Sequence, residues 1–275
     1  EIYTLSLHDA LPISISPFSL QEMRKKVSEM TTNELLFRGL YPAAYVHDEF
    51  PDRLYSNYYD TYIERDVHQL INVKNMSLFQ LFIRLCAGRV GSECNYSALA
   101  NETGVSVPTL REWTSILEAS YIIFKLQPYH ANISKRLVKT PKIYFYDTGI
   151  LCFLLGIENP KQLETHHLRG AIFENLVVSE FIKLRLNEGK HPNCYFYRDS
   201  RGIEIDLVQT FANDLHFYEI KSSQTFSQRF FDNIEKVVPL FGDRVKKSAV
   251  IYDGNDTLKS EMNGIYNFRQ IPFEL

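Results

Sequence analysis

Two neighbouring segments near the C-terminus alternate apolar and polar residues, which is the pattern of half-buried β-strands. Residues 202–211 read GIEIDLVQTF and residues 215–221 read LHFYEIK. A period of two places successive side chains on opposite faces of a sheet. Asn213 and Asp214 tolerate the backbone angles of tight turns, so we expect them to form the loop of a β-hairpin.

The expected register gathers charged side chains of both strands on one face. Asp206 would lie opposite Lys221, with Glu219 diagonally across from Asp206. Two converging carboxylates repel each other unless a cation lies between them, and Mg²⁺ prefers carboxylate oxygens and water. A water made acidic by the metal could attack a phosphodiester, with Lys221 orienting it or offsetting charge on the phosphate. The alternative is a solvated surface ion pair of little energetic value.

The elements around the hairpin are expected in the order helix, three strands, helix, strand. An amphipathic helix is predicted over residues 169–188 and a short strand over 194–198. After the hairpin come a second helix over about 227–241 and a buried strand over 247–253. This order gives the charged positions a structural context that their spacing alone does not provide.

Order and charged positions together resemble the PD-(D/E)xK nuclease fold over residues 168–253. Four side chains match its motif: Glu174, Asp206, Glu219 and Lys221. Ile205 stands where a proline usually precedes the aspartate. The resemblance implies a Mg²⁺-dependent deoxyribonuclease in which Asp206, Glu219 and Glu174 bind the metal and Lys221 positions the attacking water.

The middle of the chain has the pattern of a helix-turn-helix. Residues 95–104 and 105–117 each predict a short helix. Gly104 permits the tight turn, Ser106 is a suitable N-cap, and Pro108 falls in the first turn, where its missing N–H is harmless.

A three-helix core and a β-wing would complete a winged helix. The further helix is expected over residues 78–87, and the wing strands around 122–127 and 143–146. The predicted fold class is therefore mixed α+β and α/β. A helical winged-helix region over residues 76–160 is followed by a restriction-endonuclease-like αβββαβ domain over 168–275.

Local positive charge indicates a nucleic-acid partner, although the net charge of the chain is −3. Residues 119–146 contain no Asp or Glu, and basic patches attract phosphate without reading sequence. The candidate DNA-binding cations are Arg111, Lys125, Lys135, Arg136, Lys139, Lys142 and Arg198. The alternatives are a solvated face or a protein-docking module, and Glu112 on the second helix disfavours DNA.

Several separated sequences together resemble one protein family. They are SPFSLQE (16–22), FRGLYP (37–42), YDTYIERDV (59–67), KRLVKTPKIYFYDTG (135–149), RGAIFEN (169–175) and EIKSS (219–223). With the helix-turn-helix, they resemble the C-terminal part of prokaryotic AAA-type P-loop ATPases that carry domain of unknown function 4143. The resemblance implies an ATPase domain, then a winged-helix region and a nuclease-like domain. Residues 15–75 would be the tail of the ATPase domain and a helical linker.

The chain contains no phosphate-binding loop of the form G-x-x-x-x-G-K-[ST]. We therefore expect its own residues not to bind ATP, with the nucleotide site in an ATPase domain of the parent protein. Residues 1–14 resemble a translated sequencing adapter, so we expect them to be non-native. A truncated product that is never stable is a further possibility.

Composition limits the remaining classes of protein. The longest apolar run, over residues 150–155, is too short to cross a bilayer, so we expect no membrane partner. Four cysteines without a C-x-x-C pair argue against zinc or disulfides and favour a reducing cytoplasm. The alternative to a nuclease is a non-catalytic regulatory module that binds DNA or protein and has a degenerate nuclease fold. The oligomeric state stays open.

Overall fold

The computed structural model describes residues 16–46, 51–61, 76–129, 140–258, 260 and 263–271, with backbone alone at 51 and 52. These residues contain ten α-helices and seven β-strands. The helices are α1 (Arg24–Ser28), α2 (Thr32–Arg38), α3 (Ala43–Val46), α4 (Pro51–Thr61), α5 (Met76–Ala87), α6 (Tyr96–Thr103), α7 (Val107–Ala119), α8 (Thr148–Leu154), α9 (Arg169–Asn187) and α10 (Asp232–Phe241). The strands are β1 (Ile123–Pro128), β2 (Lys142–Phe145), β3 (Cys194–Arg198), β4 (Glu204–Phe211), β5 (Asp214–Lys221), β6 (Val245–Tyr252) and β7 (Asn263–Asn267).

All seven strands belong to one mixed sheet in the order β2-β1-β3-β4-β5-β6-β7. The β1–β2, β3–β4 and β4–β5 pairs are antiparallel, and the β1–β3, β5–β6 and β6–β7 pairs are parallel. The mixed α/β class is thus confirmed. The strands expected to form a wing, β1 and β2, are one edge of the sheet that also contains β3 to β7.

Helices α9 and α10 cover opposite faces of this sheet. The ring of Tyr218 on β5 contacts Phe181 of α9, with centroids 5.0 Å apart. Its neighbour Phe217 contacts Phe241 of α10 at 5.6 Å. Because adjacent residues of a strand point to opposite faces, one helix lies on each side.

Helix α6 begins and ends, and helix α7 begins, where their capping residues predict, whereas α7 runs two residues beyond the expected end at 117. Asn95 accepts a 3.0 Å hydrogen bond from the N–H of Ala98 at the start of α6. Gly104 ends this helix with a left-handed φ of 70°. Ser106 caps α7, and buried Trp113 of α7 packs on the α5 helix.

The predicted order of helix, three strands, helix and strand is observed from α9 to β6. The prediction that Asn213 and Asp214 form the loop of the hairpin was wrong. Ala212 adopts a φ of 55° and forms the loop with Asn213, so Asp214 is free to pair with Phe211. The register therefore differs by two residues from the expected one. A shift of two keeps every side chain on its face. The seventh strand, β7, was not predicted.

A buried aspartate connects the N-terminal region to the start of α8. Asp147 caps α8 by accepting hydrogen bonds from the N–H groups of Gly149 at 2.8 Å and Ile150 at 3.0 Å. It also accepts one from the N–H of Leu40 at 2.5 Å and one from the hydroxyl of Tyr55 at 2.9 Å. Four donors on one carboxylate satisfy a charge that is wholly buried.

The segment before α1 is bound to α9 through a buried ion pair. Glu180 accepts a 2.8 Å hydrogen bond from the N–H of Leu20, and Lys183 donates one of 2.8 Å to the carbonyl of Phe18. The two charged side chains lie 3.2 Å apart and are almost fully buried. Residues 16–46, expected as the tail of an ATPase domain, thus pack on the helix that also carries Glu174.

Across the described ranges, no helix combines the length and the apolar composition needed to cross a bilayer. The cysteines Cys86, Cys94, Cys152 and Cys194 are all buried free thiols.

Candidate active site

Strand β4 bulges at the first candidate site residue, Asp206. Asp206 and Leu207 together face the single residue Phe196 of β3. A bulge bends its strand and re-aims the side chain of the extra residue. Asp206 turns toward β5, where its Oδ2 accepts a 2.8 Å hydrogen bond from the N–H of Ile220.

Lys221 lies between the two carboxylates that the hairpin brings together. Its Nζ is 3.3 Å from Oδ2 of Asp206 and 2.5 Å from Oε2 of Glu219. Glu219 and Lys221 are two residues apart on β5 and therefore share a face. The Glu219 side chain is 1% exposed, whereas that of Lys221 is 31% exposed. Lys221 is thus the most exposed member of the group, since the Asp206 side chain is 13% exposed.

The electrostatics of this group reflect burial and like charge. Burial raises the pKa of Glu219 to about 8, with a further contribution from Asp206, and the Lys221 ammonium offsets part of the rise. Burial lowers the pKa of Lys221, but Asp206 and Glu219 outweigh burial and leave that pKa above its ordinary value. The Asn233 side chain of α10 also lowers the pKa of Glu219. The second carboxylate oxygen of Glu219, Oε1, is buried and makes no hydrogen bond of good geometry among the described residues.

Glu174, the third expected carboxylate, is held by residues of β2. Its Oε1 accepts a hydrogen bond from the Tyr144 hydroxyl and lies 3.4 Å from Nζ of Lys142. Burial raises the pKa of Glu174 to about 7, and the charge of Asp206 adds to the rise. Lys142 and Tyr144 act in the opposite direction. Glu174 is therefore within electrostatic reach of Asp206.

The faces of β5 explain why the three carboxylates do not converge. Glu219 and Lys221 share the face of Phe217, which packs on α10, whereas Glu174 belongs to α9 on the other face. Within the described part of the chain, no three His, Cys, Asp or Glu side chains form a group that could hold a metal ion. The structure brings Asp206, Glu219 and Lys221 together and leaves Glu174 with β2.

The donor chemistry of the Asp206–Glu219 pair nevertheless fits Mg²⁺. This ion commonly uses one or two protein carboxylates and keeps several waters. A buried polar oxygen without a hydrogen-bond partner is costly, and Oε1 of Glu219 is such an atom. A cation held by both carboxylates would satisfy it.

Lys142, expected as a surface cation for DNA, is instead buried. It is 3% exposed, and all four residues of β2 are buried, which leaves no exposed position on this strand. Its Nζ contacts the carboxylates of Glu174 and Glu204. Lys142 therefore belongs to the interior of the site. Sequence reasoning missed this because Glu204 and Glu174 lie far from Lys142 along the chain.

The other described candidate cations each have a neighbour. Lys125 pairs with Glu118 at 2.8 Å, and the guanidinium of Arg111 lies over the Tyr96 ring, 4.5 Å from its centroid. A lysine with a carboxylate partner attracts phosphate less than a free one, because part of its field is neutralised.

Arg198 lies near the charged groups of the site. Its guanidinium is 3.3 Å from Glu93 and 3.7 Å from Glu204. The remaining candidates lie outside the described residues: Lys135, Arg136 and Lys139. DNA contact by these side chains stays a prediction.

Two curated relatives are similar to most of this chain. They are the uncharacterized protein Mb2031c of Mycobacterium bovis and the uncharacterized protein Rv2008c of Mycobacterium tuberculosis. Each is 29% identical over 205 residues, which cover 73% of this chain and 45% of the relative. The chain thus spans about half the length of the curated relatives it matches. No solved structure matches it.

Two family models match successive parts of the chain. Residues 30–161, which include Lys142 and Tyr144, match the model described as Domain of unknown function (DUF8612). Residues 169–272, which carry Glu174 and the Asp206–Glu219–Lys221 group, match the model described as Domain of unknown function (DUF4143). The candidate site therefore lies mainly in the part of the chain that matches this second model.

Proposed function

We propose that this chain carries a Mg²⁺-dependent phosphodiesterase site that cleaves DNA. The observation that carries the proposal is the contact of Lys221 with both Asp206 and Glu219, beside a buried carboxylate oxygen without a partner. Two carboxylates can bind a metal ion, and a lysine on an adjacent strand can stabilise the negative charge that develops on the phosphate. Both kinds of group take part in metal-assisted phosphodiester hydrolysis.

Each side chain of the group has a distinct role. Asp206 and Glu219 would hold the ion, and Glu174, within electrostatic reach of Asp206, would assist from α9. When bound, Mg²⁺ would supply Lewis-acid chemistry at the phosphate. Lys221 is the most exposed member of the group, so it would position the attacking water and neutralise charge that develops on the phosphate oxygens.

The proposed setting is a longer ATP-binding protein of the cytoplasm. Supporting this are the resemblance of residues 16–22 and 37–42 to AAA-type ATPases and the length of the relatives, of which the shared region is 45%. Helices α5 to α7 with strands β1 and β2 would act as a winged helix that contacts DNA. Strands β3 to β6 with α9 and α10 would form the nuclease-like part. The four free thiols suit a reducing compartment.

A cleavage assay with matched lysine variants tests the proposal. Purified chain is incubated with single-stranded, duplex and branched DNA in Mg²⁺ or Mn²⁺. Lys221→Ala is expected to lower the rate about 100-fold or more. Lys190→Ala removes a half-exposed lysine paired with Glu188 and should retain the wild-type rate. Equal rates in wild type and Lys221→Ala would reveal a contaminating nuclease, and no cleavage of any substrate would reject the proposal.

One observation favours a second candidate, a non-catalytic DNA- or protein-binding regulatory module. The carboxylates of the described site are already neutralised by Lys221 and Lys142, and no three of them form a metal-binding group. Such a module would bind DNA in a salt-sensitive manner without turnover, or bind protein only. Calorimetry that detects no Mn²⁺ binding to the wild-type chain would select this candidate.

A further inference from the structure

Two side chains of β2 hold the same oxygen of Glu174. Lys142 and Tyr144 are two residues apart on the strand, so they share a face. The Tyr144 hydroxyl donates a hydrogen bond to Oε1, and Nζ of Lys142 lies 3.4 Å from that atom. The other oxygen of Glu174, Oε2, has no hydrogen bond within the described part of the chain. The carboxylate is thus fixed on one side and available on the other.

Lys142 also joins Glu174 to the strand that carries Asp206. Its Nζ contacts the carboxylate of Glu204, which lies two residues before Asp206 on β4. The Lys142 side chain is 4% exposed, and those of Glu174 and Glu204 are about one fifth exposed. A buried ammonium needs both partners to offset its lost hydration, so the contact fixes α9 relative to β4.

We propose that Lys142 and Tyr144 are positioning residues that hold Glu174 against the strand that carries Asp206, so that the site is built from both matched segments. This inference rests on the proposed function, because it has Glu174 assist the ion that Asp206 and Glu219 would hold. Neither residue touches substrate, since both are buried. Partners that orient a metal-binding carboxylate typically change affinity or activity 10–100-fold when they are removed.

The orientation of Glu174 depends on these partners for a physical reason. A glutamate side chain has several rotatable bonds, and each rotamer it can adopt places the carboxylate elsewhere. Two donors on Oε1 select one of these rotamers before any ligand arrives. Removing one donor would let the carboxylate populate positions away from Asp206, at a cost in affinity.

A double-mutant cycle on stability tests the contact independently of function. Tyr144→Phe, Glu174→Gln and the double variant are unfolded in urea without metal. We expect an interaction equivalent to about a fivefold or larger change in the unfolding equilibrium constant. Tyr146→Phe is the matched control, because Tyr146 lies just beyond β2 and its ring packs on Phe124. Additive effects of Tyr144→Phe and Glu174→Gln would overturn the inference.

A second cycle measures Mn²⁺ affinity by calorimetry on the same folded variants. We expect Tyr144→Phe to weaken Mn²⁺ binding about tenfold, with no further loss when it is added to Glu174→Gln. Tyr146→Phe should bind as wild type. Wild-type affinity in Tyr144→Phe, or an additional loss in the double variant, would overturn the inference alone. A wild-type chain that binds no Mn²⁺ would overturn the proposed function and this inference with it.

Lys142→Met extends the test from the hydroxyl to the charge. It is expected to weaken Mn²⁺ binding more than Tyr144→Phe does, because it releases Glu174 and Glu204 together. It also leaves two carboxylates without their shared cation, which lowers stability. Tyr144→Phe removes a single oxygen atom and is therefore the decisive variant.

Discussion

Gly39 lies so close to the carboxylate of Asp147 that no side chain fits at position 39. A Cβ atom there would fall within 3.0 Å of both carboxylate oxygens and of the Gly149 nitrogen. Gly39 also has a φ of 67°, a left-handed conformation that other residues rarely adopt. The FRGLYP and YDTG sequences therefore meet at one contact, where glycine is required for two separate reasons.

Replacing Gly39 by alanine should destabilise the protein far more than the same change at Gly189. Gly189 has a φ of 68°, but a Cβ added there would meet no atom within 4 Å, so Gly189→Ala introduces backbone strain alone, about 1 kcal/mol. Gly39→Ala adds a steric clash, for a total of about 3 kcal/mol or more. Urea unfolding measures both variants, and equal losses would show that the close approach to Asp147 has no energetic effect.

Removing the negative charge of Asp147 should cost more than removing one of its donors. Asp147→Asn replaces an acceptor oxygen by an amide that cannot accept from all four donors, and we expect a loss of about 3 kcal/mol. Tyr55→Phe removes one donor and should cost about 1 kcal/mol. Thermal unfolding of both variants checks this ranking. A loss for Tyr55→Phe as large as that for Asp147→Asn would contradict it.

The raised pKa of Glu219 predicts how stability depends on pH. A carboxyl whose pKa rises from 4.5 to about 8 on folding binds more protons when folded, so its contribution to stability falls as pH increases between those values. Between pH 5.5 and 8.5 the wild type should lose about 1–3 kcal/mol more than Glu219→Gln. Glu188 is exposed and its pKa is lowered, so it does not titrate in this range. The control Glu188→Gln should therefore show the wild-type dependence of stability on pH. Parallel curves for wild type and Glu219→Gln, from urea unfolding across this range, would refute the assignment.

Lys183 should determine whether the segment before α1, residues 16–23, stays packed on helix α9. Lys183→Met leaves Glu180 buried without its cation and removes the hydrogen bond to Phe18, for an expected loss of about 3–5 kcal/mol. Limited proteolysis should then cut first within residues 16–46. The control Lys190→Met breaks a half-exposed pair and should cost less than about 1 kcal/mol. Unchanged digestion of Lys183→Met would exclude this role of the ion pair.

Much of the local structure could be predicted because its signals lie within a few residues. Asn95, Gly104 and Ser106 carry the capping chemistry of α6 and α7, and the structure uses each of them as expected. The alternation along β4 and β5 likewise predicted a hairpin with Asp206, Glu219 and Lys221 on one face. These features need no knowledge of distant parts of the chain.

The two failures have different physical origins, one local and one in distant contacts. Ala212 adopts a left-handed φ that alanine disfavours, and the pairing of Phe211 with Asp214 selects it over the expected Asn213-Asp214 loop. The sequence suggests that Lys142 is a surface cation. In the structure it is buried and pairs with Glu174 and Glu204, which lie 32 and 62 residues away along the chain. No periodicity or turn signal encodes a partner at that separation.

The short pairing of β1 with β3 joins the two segments that match the family models. It affects how the sequence can vary among relatives. Among the described residues, β1 pairs with β3 through Gln127 and Pro128, and the N–H of Tyr129 donates one further hydrogen bond to the carbonyl of Phe196. The Lys142–Glu204 ion pair also joins the two matched segments. A change of strand geometry or of charge in one segment therefore requires a compensating change in the other. A chimera that takes one segment from each of two distant relatives should fold poorly, so we expect the pair to be inherited as a single unit.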